Sequence, residues 1–122
     1  GGGEELMIPM DKEERWRLYE EKIDYILSFS SVFAISDFYA LDFMAFMENQ
    51  GYKIPKDISI IGFDGSMQSA FFSLTTIAQN HDQRARYAVE SLEEFRRGEK
   101  GNRIKVVDVS LKEGLTVNRL CD

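Results

Sequence analysis

Cysteine is almost missing from this chain: Cys121 is the only one in 122 residues. A lone thiol beside the carboxyl end builds neither a disulfide framework nor a thiol metal site, and it suits a reducing compartment. Histidine is as scarce. His81 stands alone, so an imidazole metal cluster, or a Ser-His-Asp or Cys-His catalytic set, lacks its parts within the chain. Basic residues are the minority, 15 Lys and Arg against 21 Asp and Glu for a formal charge of −6, with no basic stripe anywhere. That argues against direct nucleic-acid binding by this stretch. No apolar run reaches membrane-spanning length, and the amino end lacks a charged region followed by an apolar one, which predicts neither an anchor nor a secretion signal. A glycine-rich phosphate loop closing on Lys-Ser or Lys-Thr is missing, as is the three-glycine dinucleotide fingerprint. There is no internal repeat and no low-complexity linker. What remains is a globular composition, 43% hydrophobic with one tryptophan, of a size to form one domain or part of one with a real core. Residues 1–5, opened by Gly1-Gly2-Gly3, read as a disordered or non-native end.

The chain is organised around Ile58-Ser59-Ile60-Ile61-Gly62-Phe63-Asp64-Gly65. An apolar run opened by Pro55-Lys56-Asp57 and closed by a glycine-flanked carboxylate predicts a strand buried on both faces, with Asp64 at its carboxyl end. In open α/β sheets the ligand crevice lies outside those ends. Asp64 is therefore either a small-molecule contact or the cap of a turn.

Other elements fall on either side. Leu6 to Met10 is a short crossing segment or strand end, and Asp11 with Glu14 forms a capping-box pattern. Trp16, Tyr19, Ile23, Ile26 and Leu27 then mark the buried stripe of one helix, with Arg15, Arg17, Glu20, Glu21, Lys22 and Asp24 on its solvated side. Val32 to Ser36 predicts a strand, and Asp37 the cap of a second helix. From Phe38 to Met47 only Asp42 is not apolar or aromatic, so this helix needs cover on both sides, from the sheet and from a second subunit or a neighbouring helix. Gly51 and Pro55 end it. Gly65 to Ser73 is a loop with room for one helical turn, Leu74 to Gln79 a β-branched strand. Asn80 and Gln83 open a third helix striped by Ala85, Ala88, Val89, Leu92 and Phe95, which Gly98 stops. Lys100 to Asn102 is a turn, Ile104 to Leu111 a strand, and Leu115 to Val117 a short last one. The succession specifies an α/β fold with a mainly parallel sheet and helices on both faces. Asp37 and Asp64, as strand-end carboxylates, could also be a phosphoacceptor and a metal ligand, but no lysine closes a later strand and no Asp-x-Asp follows one.

Three stretches carry a resemblance: Val32-Phe33-Ala34-Ile35-Ser36-Asp37-Phe38-Tyr39-Ala40-Leu41, then Gly51 to Asp64 with its Pro-x-Asp-Ile-Ser and Gly-Phe-Asp, then Leu74-Thr75-Thr76-Ile77. In order and spacing the chain resembles the effector-binding domain of LacI-type transcriptional regulators. The resemblance implies part of a type I periplasmic-binding-protein-like fold: two α/β subdomains hinged around a small ligand, usually a sugar or nucleobase, behind a separate DNA-binding head. On that pattern residues 6–122 are the carboxyl-terminal part of the sensing domain. Residues 6–77 form most of the second subdomain, 80–98 a helix of the first, and 104–122 a returning strand and tail. The resemblance further implies that Asp64 hydrogen-bonds ligand hydroxyls, that Ser36 and Asp37 face the cleft, and that Met10 stands near a ligand-stacking position. Phe38, Leu41, Met44 and Ala45, with Phe71 and Phe72, match a homodimer interface. Gly114 stands where an arginine is frequent in the family. The function implied is cytoplasmic, non-catalytic effector sensing that controls operator binding, with no cofactor or metal, no membrane partner, and DNA bound only through the head. The alternative is a periplasmic sugar receptor of the same fold serving a transporter.

Overall fold

The Asp11 carboxylate accepts the Glu14 N–H at 3.0 Å and starts the first helix, α1, Lys12–Glu21. This computed structural model describes residues 3–99 and 104–118. The expected turn at Lys100 to Asn102, Cys121 and the end of the tail lie outside them. Where the stripe from Trp16 to Leu27 predicts one helix, the backbone leaves helical angles at Lys22 and resumes as α2, Ile23–Leu27. Ile26 is buried and Ile23 and Leu27 pack beside it, so both pieces keep their apolar contacts.

The sheet has the order β1-β2-β3-β4, formed by β1 (Ser31–Phe33), β2 (Ser59–Asp64), β3 (Thr75–Gln79) and β4 (Val109–Lys112). The first three are parallel, with Phe33 beside Ile61 and Ile61 beside Thr75; β4 runs antiparallel along β3 at the edge. A helix follows each of the first three strands: α3 (Asp37–Asn49), the short α4 (Met67–Phe71) and α5 (His81–Arg96). The α/β class and mainly parallel sheet are those the pattern specifies. Two strands are shorter than expected. Ile35 lies beyond β1 and is exposed, and residues 104–108 precede β4 without joining the sheet.

One sheet face carries the core. Ile58, Ile60 and Leu74 cluster with Ala40, Phe43, Phe46 and Met47 of α3, and Tyr19 and Ile26 complete the group. Each large side chain so buried contributes roughly 1.5–3 kcal/mol as an upper estimate. Strand alternation puts Phe33, Ile61, Phe63, Ile77 and Leu111 on the opposite face. There, where the pattern predicts further helices, Phe33 and Leu111 are more than half exposed.

Residues 115–117 form no strand, contrary to expectation, yet Thr116 is buried. Its hydroxyl accepts from Thr75 N at 2.9 Å and donates to Ile60 O at 2.7 Å, while its carbonyl accepts from Ile60 N at 2.8 Å. The tail thus fills the place beside β2 before β3 has begun. Gly114 makes this possible, because a Cβ there would collide with the Ser73 carbonyl. Any larger side chain at this position would push the tail away.

The stripe Ala85, Ala88, Val89, Leu92 and Phe95 takes no part in the core of this chain. None of α5 is buried, and Val89, Leu92 and Phe95 are 60%, 66% and 83% exposed. The helix forms as its Asn80 cap predicts, with Asn80 Oδ1 accepting from Gln83 N at 3.0 Å. It does not fold back onto the sheet of its own chain, and its described contacts are polar: Lys105 Nζ reaches Glu90 and Glu94, both at 3.3 Å, and Asp108 N donates to Gln83 at 2.8 Å.

Candidate ligand-binding site

Because β1, β2 and β3 are parallel, Ser36, Asp64 and Gln79 come to the same edge of the sheet. Asp64 ends β2 at φ 127°, a positive angle that side chains avoid and glycine tolerates. Its Oδ1 accepts from Gln79 Nε2 at a long 3.4 Å, and the residue is half-buried. A strained carboxylate at the end of a central strand is the kind of feature that concentrates at ligand sites.

Asp37, expected to cap α3 and to face the cleft, does neither. The cap is Ser36, whose Oγ accepts from Tyr39 N at 3.3 Å. The Asp37 side chain turns inward and is 3% exposed. Oδ2 accepts from Ser66 N at 2.7 Å and Oδ1 from the Thr76 hydroxyl at 2.6 Å. An ionised carboxylate at the first helical position also gains from the helix dipole, and burial demands the hydrogen bonds it finds.

Arg15 departs most from its expected place. It is buried at 2% exposure rather than solvated. Its Nε donates to Asp42 Oδ2 at 2.7 Å and its Nη1 to Met10 O at 2.7 Å and, less closely, to Pro9 O at 3.4 Å. The Trp16 indole N–H reaches the same carboxylate, at 3.1 and 3.2 Å. The hydrogen bond to Asp42 outweighs the burial that would lower the guanidinium pKa, which is raised. Trp16 meets Asp42 and Phe46, and Tyr19 meets Phe43 and Phe46, so α1 packs across the middle of α3. Met10 is 86% exposed, and its carbonyl accepts from Arg15.

Beside Asp64 an open hollow of ≈ 250 Å³ is lined by Gly65, Gln79, Asn80, His81 and Asp108 among others. A larger depression of ≈ 390 Å³, between α4 and Lys112 to Leu115, contains none of the expected site residues. Gln79, Asp108, Thr76 and Arg15 are the residues sequence reasoning missed. A signal existed for Arg15: it stands four residues before Tyr19, on the same helical face, and Asp42 is the one charge between Phe38 and Met47, so it needed a partner.

The proposed interface residues divide. Within the chain α1 covers part of α3, through Trp16 against Phe46 and Tyr19 against Phe43. Leu41 and Met44 are half-buried, Ala45 is exposed, and Phe38, Phe71 and Phe72 are 67%, 82% and 54% exposed. Among the described residues no group of three or more His, Cys, Asp or Glu could hold a metal ion, and no helix is long and apolar enough to cross a membrane.

A parallel α/β layer with polar groups gathered at the carboxyl edge defines a small-molecule-binding class. Residues 5–117 match the periplasmic binding protein-like domain, and the chain belongs to that family. It is 34% identical over 86 residues to the HTH-type transcriptional regulator MalR of Clostridium butyricum, covering 69% of this chain and 26% of that protein. It is 36% identical over 83 residues to the HTH-type transcriptional repressor PurR of Histophilus somni, covering 66% and 24%. Among solved structures it resembles a periplasmic binding protein/LacI transcriptional regulator from Alkaliphilus metalliredigens complexed with D-xylulofuranose, with TM-score 0.71, 30% identity and coverage of 81% and 38%. It also resembles a LacI family regulator from Enterococcus faecium with bound ribose, with TM-score 0.76, 26% identity and coverage of 95% and 44%. The chain thus spans about a quarter of the length of these curated relatives. Both curated relatives are transcriptional regulators.

Proposed function

We propose that this chain is the carboxyl-terminal part of the effector-sensing domain of a LacI-type transcriptional regulator. Its effector is a small polyhydroxylated molecule, a sugar, held by Asp64 with Ser36 and Met10 alongside. The observation that carries this reading is Asp64 itself, held at positive φ on the carboxyl edge of a periplasmic binding protein-like sheet. A carboxylate there accepts hydrogen bonds from two neighbouring hydroxyls, the recognition a sugar asks for. Residues 6–77 supply one side of the cleft, and α5 and the returning strand lead to the other. Closure on the effector shifts the balance between two hinge states, and the DNA affinity of a head domain follows that balance. The protein works as a cytoplasmic homodimer without catalysis. The apolar outer strip of Phe38, Leu41 and Ala45, with Phe71 and Phe72, favours this over a receptor serving a transporter, which would present polar residues there.

The test is a thermal-shift screen of sugars on the intact protein, followed by calorimetry of the best ligand. Each hydrogen bond to a charged acceptor is worth about 1.5–3 kcal/mol, so Asp64→Ala should weaken binding at least about tenfold. Unchanged affinity in a folded Asp64→Ala protein would refute the assignment.

A further inference from the structure

The turn after β2 is held by a device that the ligand-site reading does not include. Asp64 sits at φ 127°, and the next two backbone N–H groups both point at one pair of buried side chains. Gly65 N donates to Thr76 Oγ1 at 3.3 Å and Ser66 N donates to Asp37 Oδ2 at 2.7 Å. Thr76 Oγ1 in turn donates its proton to Asp37 Oδ1 at 2.6 Å, so the two side chains are locked to each other. Thr76 is 0% and Asp37 3% exposed. Three elements meet here: the start of α3, the end of β2 and the middle of β3. Gly62 makes the closeness possible, since a Cβ there would strike Asp37 Oδ1. A residue in an avoided backbone region persists only where its surroundings over-determine it. Two anchored N–H groups directly after Asp64 supply that determination.

We propose that Asp37 and Thr76 are positioning residues, a clamp that holds the Asp64 turn in its ligand-presenting conformation, and that Asp37 itself does not contact ligand. This rests on the reading of Asp64 as a ligand group, and it assigns Asp37 a different task from the cleft-facing one expected of it. The clamp also reaches further. Ser66, anchored through its N–H, caps α4 with its own hydroxyl, accepting from Ser69 N at 3.2 Å. The carboxylate that fixes Asp64 thereby fixes the start of the helix carrying exposed Phe71.

Two measurements on the intact protein separate the clamp from the reading it rests on. The first is amide hydrogen exchange, compared at Gly65 and Ser66 and at Ile60 and Ile61 within β2. Thr76→Val keeps the side-chain shape and removes the hydroxyl. It should speed exchange at Gly65 and Ser66 at least about tenfold beyond any change at Ile60 and Ile61, since one lost hydrogen bond corresponds to that factor. Thr76→Ser keeps the hydroxyl and should restore the parental rates. Equal acceleration at all four amides in Thr76→Val, or no recovery in Thr76→Ser, would overturn the clamp. The second is calorimetric titration with D-ribose. Binding that weakens at least tenfold in Thr76→Val and returns in Thr76→Ser supports the positioning role, and binding unchanged in Thr76→Val overturns it. A parent protein that ignores D-ribose at millimolar concentration while the exchange pattern holds would refute ribose as effector and leave the clamp standing.

Discussion

At the scale of single residues, Asp64 is in tension between folding and binding. A non-glycine residue at an avoided φ costs about 1–3 kcal/mol, whereas glycine adopts the angle freely and loses roughly 0.5–1 kcal/mol through its more flexible unfolded state. Asp64→Gly should therefore raise the denaturant midpoint, by a net effect on the order of 1 kcal/mol, while sugar binding is lost. Asp64→Ala keeps the strain and should show no such gain; equal midpoints for the two variants would mean the strain is not there. Tyr19 gives a pH signature. Burial among Phe43, Phe46 and the apolar face of α3 pushes its phenol up to about 12 from the ordinary 10.0, with the Asp42 carboxylate adding to the effect. Between those values the folded protein keeps a proton that the unfolded chain has given up, so stability is complete below pH 10 and falls as pH rises toward 12. The loss amounts to at most about 3 kcal/mol. Tyr19→Phe should flatten alkaline unfolding over that range, followed by circular dichroism, with little change at pH 7. Asp64 could be singled out from sequence because a carboxylate ending an apolar run is visible in one dimension. Its backbone angle was not, nor was the inward turn of Asp37, because both depend on what β3 brings alongside.

At the scale of elements, the contact of α1 with α3 shows what periodicity can and cannot give. The apolar stripe places Trp16, Tyr19 and Ile26 against the core, whereas the charge of Arg15 points to water and only its helical position points inward. The buried pair it makes with Asp42 fixes how the two helices sit. Removing one partner of such a pair typically costs about 3–5 kcal/mol, because the other is left buried and uncompensated. Asp42 keeps the Trp16 indole as a donor, so Arg15→Met should fall near the lower figure. Replacing both partners in Arg15→Met with Asp42→Leu should cost less than the sum of the singles, a double-mutant cycle with coupling of at least about 1 kcal/mol by urea unfolding. Strict additivity would show that Arg15 acts through packing alone. The outer strip of α3 makes a second prediction at this scale. Ala45 is exposed, so Ala45→Glu has little effect on the fold of one chain, yet it buries an unpaired charge if the strip is a two-fold interface. The intact protein should then sediment as a monomer with unchanged circular dichroism, and a persistent dimer would place the interface elsewhere.

For the molecule as a whole, the order of the parallel strands and of α3 and α5 was legible because each strand ends at a turn signal, and Asn80 caps α5 as its type dictates; α3 opens on Ser36 instead of Asp37, and α4 on Ser66 inside a stretch that reads as a loop. What covers α5 was not legible, since a stripe at helical spacing states that a face is to be buried and not by what. Here that face meets none of its own sheet. Val89, Leu92 and Phe95 lie 60%, 66% and 83% exposed along one side of a 16-residue helix. Burying such a side chain is worth roughly 1.5–3 kcal/mol, so covering the three together yields several kcal/mol, comparable with the net stability of a small domain. Exposed apolar faces of this kind associate, and α5 follows β3 through Gln79 and Asn80, a short connection that could exchange the helix between two copies. The 122-residue chain by itself should therefore sediment as a dimer or larger species at tens of micromolar. Leu92→Lys with Phe95→Lys places two charges on the face without touching the Asn80 cap or the Lys105 contacts, and should yield monomer with the same helical content. A parent chain already monomeric at that concentration would show that α5 stays uncovered at no cost, and the stripe would then owe its pattern to something other than burial.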